Sequence, residues 1–223
     1  MALNKAQTSL GVKIVLIVVA IAMVGFLFPA IISMFQGSGS NQATNQNTPQ
    51  GTLDQIASKY SGTVAQNETT LKADPNNYAA LVSQGNTYFD WALDVMQAGQ
   101  QNQQLLGTDQ PLWLSSRQYY ERARAVKAGD PPVETDLSIA YFYSGETTTA
   151  IAIAAKVTET APTFASAWFN LGIFYGAQGE TGKAIAAFEK TIELDPEGKS
   201  TNLEYAKSQL QTLKGSASAT TSP

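Results

Sequence analysis

The sequence contains no His and no Cys, so the two most versatile reactive side chains are missing. Their absence removes thiol nucleophiles, disulfides, Cys/His zinc sites and haem attachment. It also removes the Ser-His-Asp and Cys-His arrangements, which need histidine as base. Carboxylates, Lys and Tyr remain, but no motif gathers them. The expectation is a non-enzyme with neither a metal site nor a cofactor. The regularly spaced residues are of another kind: Trp168, Leu171, Gly172, Tyr175, Ala184, Phe188 and Pro196. They are apolar, small or helix-ending, and the chemistry open to them is packing.

Several elements must position such residues. The 223-residue chain is 43% hydrophobic, enough for a folded core over most of its length. Residues 1–51 carry Lys5 and Lys13 and no acid, whereas the remainder carries 12 basic and 18 acidic groups. An acidic body disfavours a nucleic-acid partner. Residues 14–35 form an uncharged run of 22 residues, IVLIVVAIAMVGFLFPAIISMF. As a helix this run is ~33 Å long, enough to cross a hydrocarbon core of ~30 Å. Pro29 is tolerated within a membrane helix. A cleaved signal peptide is the alternative, but its apolar core is normally only ~7–15 residues long. With no Cys after the run, a lipoprotein anchor is excluded.

The lysines precede the span and no further Lys or Arg occurs before Lys59. The expectation is therefore a cytoplasmic N-terminus (1–13), one transmembrane helix (14–35) and an extracytoplasmic body. Residues 36–51, which include GSGSNQATNQNTPQG, read as a flexible linker, and residues 215–223 read as a disordered tail.

From residue 52 to residue 214 the pattern is helical. Thr52-Leu-Asp-Gln55 has capping-box spacing, and Leu53, Ile56, Tyr60 and Val64 continue at helical intervals. Leu203, Ala206, Leu210 and Leu213 form one stripe on a last helix at 200–214, with Gly215 as its expected stop. The turn signals SGET and QGET lie 34 residues apart, as do Pro162 and Pro196. In that register Leu137/Leu171, Tyr141/Tyr175, Gly145/Gly179, Ala150/Ala184 and Ile151/Ile185 coincide.

This period and pattern resemble the tetratricopeptide repeat, W-x2-L-G-x2-Y followed by A-x3-F and a closing P, and residues 168–196 meet every position. The middle copy departs at Glu134, Ser138 and Ala154, where Trp, Gly and Phe are usual. An earlier copy is split: Leu81, Gly85 and Tyr88 supply its first helix, and Ser116 with Tyr119-Tyr-Glu-Arg-Ala123 its second. About 19 residues are inserted between them, including 99–111, either as a surface indel or as a partner-contacting loop. The resemblance implies an all-α right-handed superhelix of about three repeats, at 78–130, 131–164 and 165–198. Flanking helices lie at 52–73 and 200–214, the last a capping helix.

Members of this family generally bind proteins or peptides in a groove lined by the first helix of each repeat. Carried onto this chain, the groove residues are Val82, Asn86, Phe89, Ile139, Phe142, Tyr143, Phe169 and Ile173, with Asp90 and Thr135 beside them. A largely apolar and aromatic surface suits a partner segment with hydrophobic anchors, and Phe142 and Phe169 are the expected anchors. Only Asn86 fits a carboxylate clamp, so acidic chaperone tails are not the expected ligand. Thr191 is expected on a second helix, away from the groove. The functional expectation is a membrane-tethered interaction module. The alternative is a structural subunit, or a self-associating scaffold, with no exchangeable ligand.

Overall fold

Eight α-helices and one 3-10 turn make up residues 48–220 of the computed structural model; these are the residues described, with side chains to residue 216, and no strand occurs among them. The helices are α1 (Pro49–Ala73), α2 (Tyr78–Gln101), α3 (Gln110–Val126), α4 (Pro131–Tyr143), α5 (Thr147–Thr160), α6 (Ala165–Ala177), α7 (Thr181–Leu194) and α8 (Leu203–Thr220). The turn, Gln103–Leu105, lies between α2 and α3. The expected membrane span at 14–35, its flanks 1–13 and 36–47, and residues 221–223 of the tail fall outside the described residues. No helix among the described residues is long and apolar enough to cross a membrane.

The chain divides into two compact units, 1–57 and 58–223. In the first, the described residues are the start of α1. Its cap differs from the expected box: Gly51 N donates to Thr48 Oγ1 at 3.0 Å, while Thr52 Oγ1 donates back to the Thr48 carbonyl at 3.2 Å. Thr48 is thus the capping hydroxyl. Pro49 follows it at the first helical position, where a missing N–H costs nothing, so the helix starts a turn early.

In the second unit α2 pairs with α3, α4 with α5 and α6 with α7, and each pair packs on the next. Successive first helices α4 and α6 also touch, and α8 closes the series against α7. The α1 segment of this unit meets α2 through side chains. Tyr60 stacks on Trp91 at 5.7 Å and donates to Asp94 at 2.6 Å, and Asn67 Nδ2 donates to Ser83 Oγ at 3.0 Å.

The two turn signals fold alike. Gly145 and Gly179 sit at φ 85 and 75, in the left-handed region that a side chain disfavours. In each, the residue after the glycine donates five positions back, Glu146 N to the Tyr141 carbonyl and Glu180 N to the Tyr175 carbonyl, both at 2.9 Å. Two helix ends therefore close with the same bond, 34 residues apart.

Within each pair, a small residue on the first helix lets a ring from the second come close. A Cβ added at Gly172 would lie 2.6 Å from the Phe188 ring, and one at Gly85 would lie 2.6 Å from the Tyr120 ring. Tyr120 is therefore the counterpart of Phe188, reached across the insertion. The middle pair carries Ser138 and Ala154, both fully buried. A larger residue on one side meets a smaller one on the other, so the two departures from the pattern offset each other.

The insertion lengthens α2 to 24 residues and α3 to 17, against 13 and 14 in the next pair. It is not merely a surface loop. Leu105 and Trp113 are buried, and the Trp113 indole donates to the buried Asp109 carboxylate at 2.8 Å. Gln110 Nε2 donates to the Tyr143 carbonyl at 3.0 Å, fastening the segment to the end of α4. Apolar anchors at Leu105, Leu112 and Trp113 give the insertion a share of the core.

The last helix begins at Leu203, where Asn202 Oδ1 accepts from Tyr205 N at 3.0 Å. It continues through Gly215 to Thr220, beyond the expected stop. Gly215 lacks the positive φ of a terminating glycine, and Ser216 Oγ donates to the Thr212 carbonyl at 3.0 Å. Between α7 and α8 the Asp195 carboxylate accepts from the backbone N–H groups of Lys199, Ser200 and Thr201, each at 2.8 Å. Those donors, Ser200 N foremost, hold its pKa well below the usual carboxylate range.

Candidate protein-binding groove

The expected groove residues stand on α2, α4 and α6. Val82, Phe89, Ile139, Phe142, Tyr143, Phe169 and Ile173 are half-buried, and Asn86 is exposed. Phe89 meets Trp113 edge-on at 5.1 Å, and Trp113 stacks on Tyr143 at 4.5 Å. Tyr143 meets Phe142 edge-on at 5.3 Å, and Phe142 stacks on Phe174 of α6 at 4.7 Å. These rings form a continuous chain from the first repeat to the third. Each contact is worth about 0.5–1.5 kcal/mol beyond the area it buries.

Phe169 belongs to a different cluster, edge-on to Phe188 at 6.2 Å and to Tyr205 at 5.9 Å. The two expected anchors, Phe142 and Phe169, thus share no ring contact among the described residues. Ile139 and Ile173 pack beside the core formed by Ala150, Ala154, Leu171, Phe174 and Ala187. Asn86 Oδ1 accepts from the Tyr120 hydroxyl at 2.8 Å, so one of its acceptor positions is taken. Thr191 lies on the second helix of its pair, α7, and is fully buried, its hydroxyl donating to the Ala187 carbonyl at 2.9 Å. With that donor satisfied inside its own helix, the side chain enters the core at little cost.

Sequence reasoning missed Trp113, the second ring of the chain, and Asp136. A short apolar run, Pro111-Leu-Trp-Leu114, was the available signal for the first. Asp136 offers no local signal. Burial pushes its carboxyl up to about 6, and the charge of Asp90 on α2 adds to the effect. Burial likewise raises Asp90, followed by the charge of Asp94. Neither Asp90 nor Asp136 has a hydrogen-bond or ion-pair partner among the described residues; the Tyr120 phenol on α3 shares their field.

A raised carboxyl pKa means that folding favours the proton. The stability this contributes is complete below the unfolded value of ~3.9 and is lost as pH rises through about 6. Asp136→Asn is therefore expected to stabilise the protein at about pH 7.5 by ~1–3 kcal/mol, with the gain shrinking as pH falls below about 6 and vanishing below ~3.9. Urea denaturation of both proteins across that range checks it, and an equal difference at every pH contradicts it.

Among the described residues no group of three or more Asp or Glu is placed to hold a metal ion. The geometry offers instead three roughly repeated helix faces with half-buried rings and aliphatic side chains.

Residues 165–197 match the family model described as Tetratricopeptide repeat. No curated protein matches the chain. Among solved structures, a crystal structure of MamA is similar over 75% of this chain and 95% of its own, with 23% identity and a TM-score of 0.51. A second crystal structure of MamA covers 74% and 82%, with 25% identity and a TM-score of 0.52. The Sgt2 TPR domain from Aspergillus fumigatus covers 64% and 80%, with 22% identity and a TM-score of 0.48. No catalytic family is indicated by these matches. With a matched repeat at 165–197 and helix pairs stacked on its register, the described residues form an all-α helical repeat with a tetratricopeptide-like fold.

Proposed function

We propose that the protein is a membrane-tethered interaction module that binds or assembles a protein partner along the first-helix faces. The carrying observation is the run of half-buried apolar and aromatic side chains on α2, α4 and α6 of a helical-repeat fold. Such faces gain by burying the remaining ring area against a partner segment. The uncharged run at 14–35 supports the tether, and the lysines before it support a cytoplasmic N-terminus with the repeats outside. The proposed binding residues are Val82, Asn86, Phe89, Ile139, Phe142, Tyr143, Phe169 and Ile173.

One observation favours the second reading, a permanent structural subunit. Phe89, Phe142, Tyr143 and Phe169 all pack on rings of their own domain. On that reading the aromatics hold the repeats together and no ligand exchanges.

Because the chain has no Cys, single cysteines at Ser38 or Ser216 are clean probes of the tether and its orientation. A membrane-impermeant maleimide is expected to label both in intact cells, in a chain that fractionates with membranes. Labelling only after lysis contradicts the orientation, and a shortened chain released from the membrane contradicts the tether.

A further inference from the structure

A cavity of about 410 Å³ opens away from the groove residues, bounded by α3, the start of α4, and α5. Arg124, Glu134, Ala152, Ile153, Lys156 and Val157 form its working walls, and Ala152 and Lys156 are exposed, so it reaches the surface. Its size falls in the range of ligand pockets, roughly 300–1,000 Å³.

The 34-residue register explains why it exists. Glu134 occupies the position of Trp168, and Ile153 that of Ala187. In the third repeat, Trp168 packs beside the core that includes Ala187, and its indole donates to the Pro162 carbonyl at 2.9 Å. In the second repeat a carboxylate stands where that indole would be, and it turns to Arg124 at 3.1 Å. The walls of Ala152 and Ile153 are left uncovered. Arg124 Nη2 is buried with no hydrogen-bond partner among the described residues, so the site has a donor to spare. Lys156 is already paired with Glu159 at 3.0 Å, so it is the spare Arg124 donor that favours an acceptor such as a carboxylate there.

We propose that this cavity is a second binding site, separate from the first-helix faces, that takes an aromatic side chain of a partner protein with an adjacent carboxylate. The ring takes the place that Trp168 fills in the next repeat. The carboxylate accepts from the Arg124 guanidinium.

N-acetyltryptophan, an indole with a free carboxylate, serves as probe, with saturation-transfer NMR on the full chain in nanodiscs and empty nanodiscs as the blank. Binding at millimolar probe is expected, and N-acetyltryptophanamide, which lacks the carboxylate, should bind about tenfold more weakly. Glu134→Trp fills the cavity with the third repeat's own residue and should abolish binding without lowering the thermal midpoint. Ala152→Phe blocks the exposed wall and should give the same loss should Glu134→Trp fail to fold. Arg124→Gln should reduce the acid to the affinity of the amide. No binding to the wild type overturns the proposal, as does binding that survives a folded, cavity-filled variant.

Discussion

Gly172→Ser is expected to destabilise the protein by ~1–3 kcal/mol when Phe188 is present, and to cost almost nothing once Phe188 is Ala. The reason is the crossing of α6 and α7: a Cβ at residue 172 meets the Phe188 ring at 2.6 Å, too close for any real contact. Either the ring leaves its rotamer or the helices separate, and both lose packing. Phe188→Ala alone removes a fully buried ring, at a cost of ~3–5 kcal/mol. The double variant recreates the Ser138 and Ala154 pairing of the second repeat, so its cost should fall well below the sum. Equilibrium urea denaturation of the four proteins measures the coupling. Additive costs would show that volume is not being exchanged across this crossing.

Removing the residues after Gly198 from a fragment that begins at Thr48 should lower the thermal midpoint and promote aggregation. α8 lays the buried Ala206 and the half-buried Leu203, Leu210 and Leu213 against the third repeat. Its Tyr205 ring covers Phe169 at 5.9 Å and Phe188 at 6.5 Å. At about half the value of full burial, the leucines contribute roughly 3 kcal/mol, or some 6–12 °C in a domain of this size. The ion pair Lys214–Glu189, at 2.6 Å, is half-exposed and adds little. A truncated fragment with an unchanged midpoint would mean that α8 does not cap the array.

Much of this architecture was legible because close helix crossings demand a small residue opposite a ring at a fixed interval. Gly172 with Phe188 shows it directly, and Gly145 and Gly179 mark turns that need positive φ. The insertion was less legible. Trp113 is buried against Tyr143 at the end of α4, and Leu105 sits beside Gly99 of the lengthened α2, conditions no local pattern records. Thr191 stands on a second helix as expected, but its burial was not legible. A hydroxyl usually marks an outer face, but here it is satisfied by the Ala187 carbonyl within its own helix. Thr48 was overlooked because Thr52 offered the fuller capping motif, and Pro49 decided the matter.

At the groove, the residue positions were legible and their partners were not. Phe142 and Phe169 read as equivalent anchors along successive helices. In the fold one joins the ring chain that runs through Tyr143 and Trp113, and the other joins Phe188 and Tyr205. Asp136 acquires its shifted carboxyl only when α2 and α4 come together, since burial and the Asp90 charge both arise there. Replacing either Phe with Ala therefore removes ring packing as well as any partner contact, and a decrease in binding by such a variant would not separate the two.

Site-specific crosslinking separates them, because it leaves the core rings in place. A photoreactive residue is placed at Asn86 or Ile173 on the first-helix faces, and at Gln211 on the exposed side of α8 as control, in the full chain in native membranes. The expected result is that Asn86 and Ile173 capture the same partner protein in the extracytoplasmic space and Gln211 captures none. Crosslinks from Gln211 alone, or from the groove positions only to other copies of this chain, contradict a groove that holds an exchangeable partner.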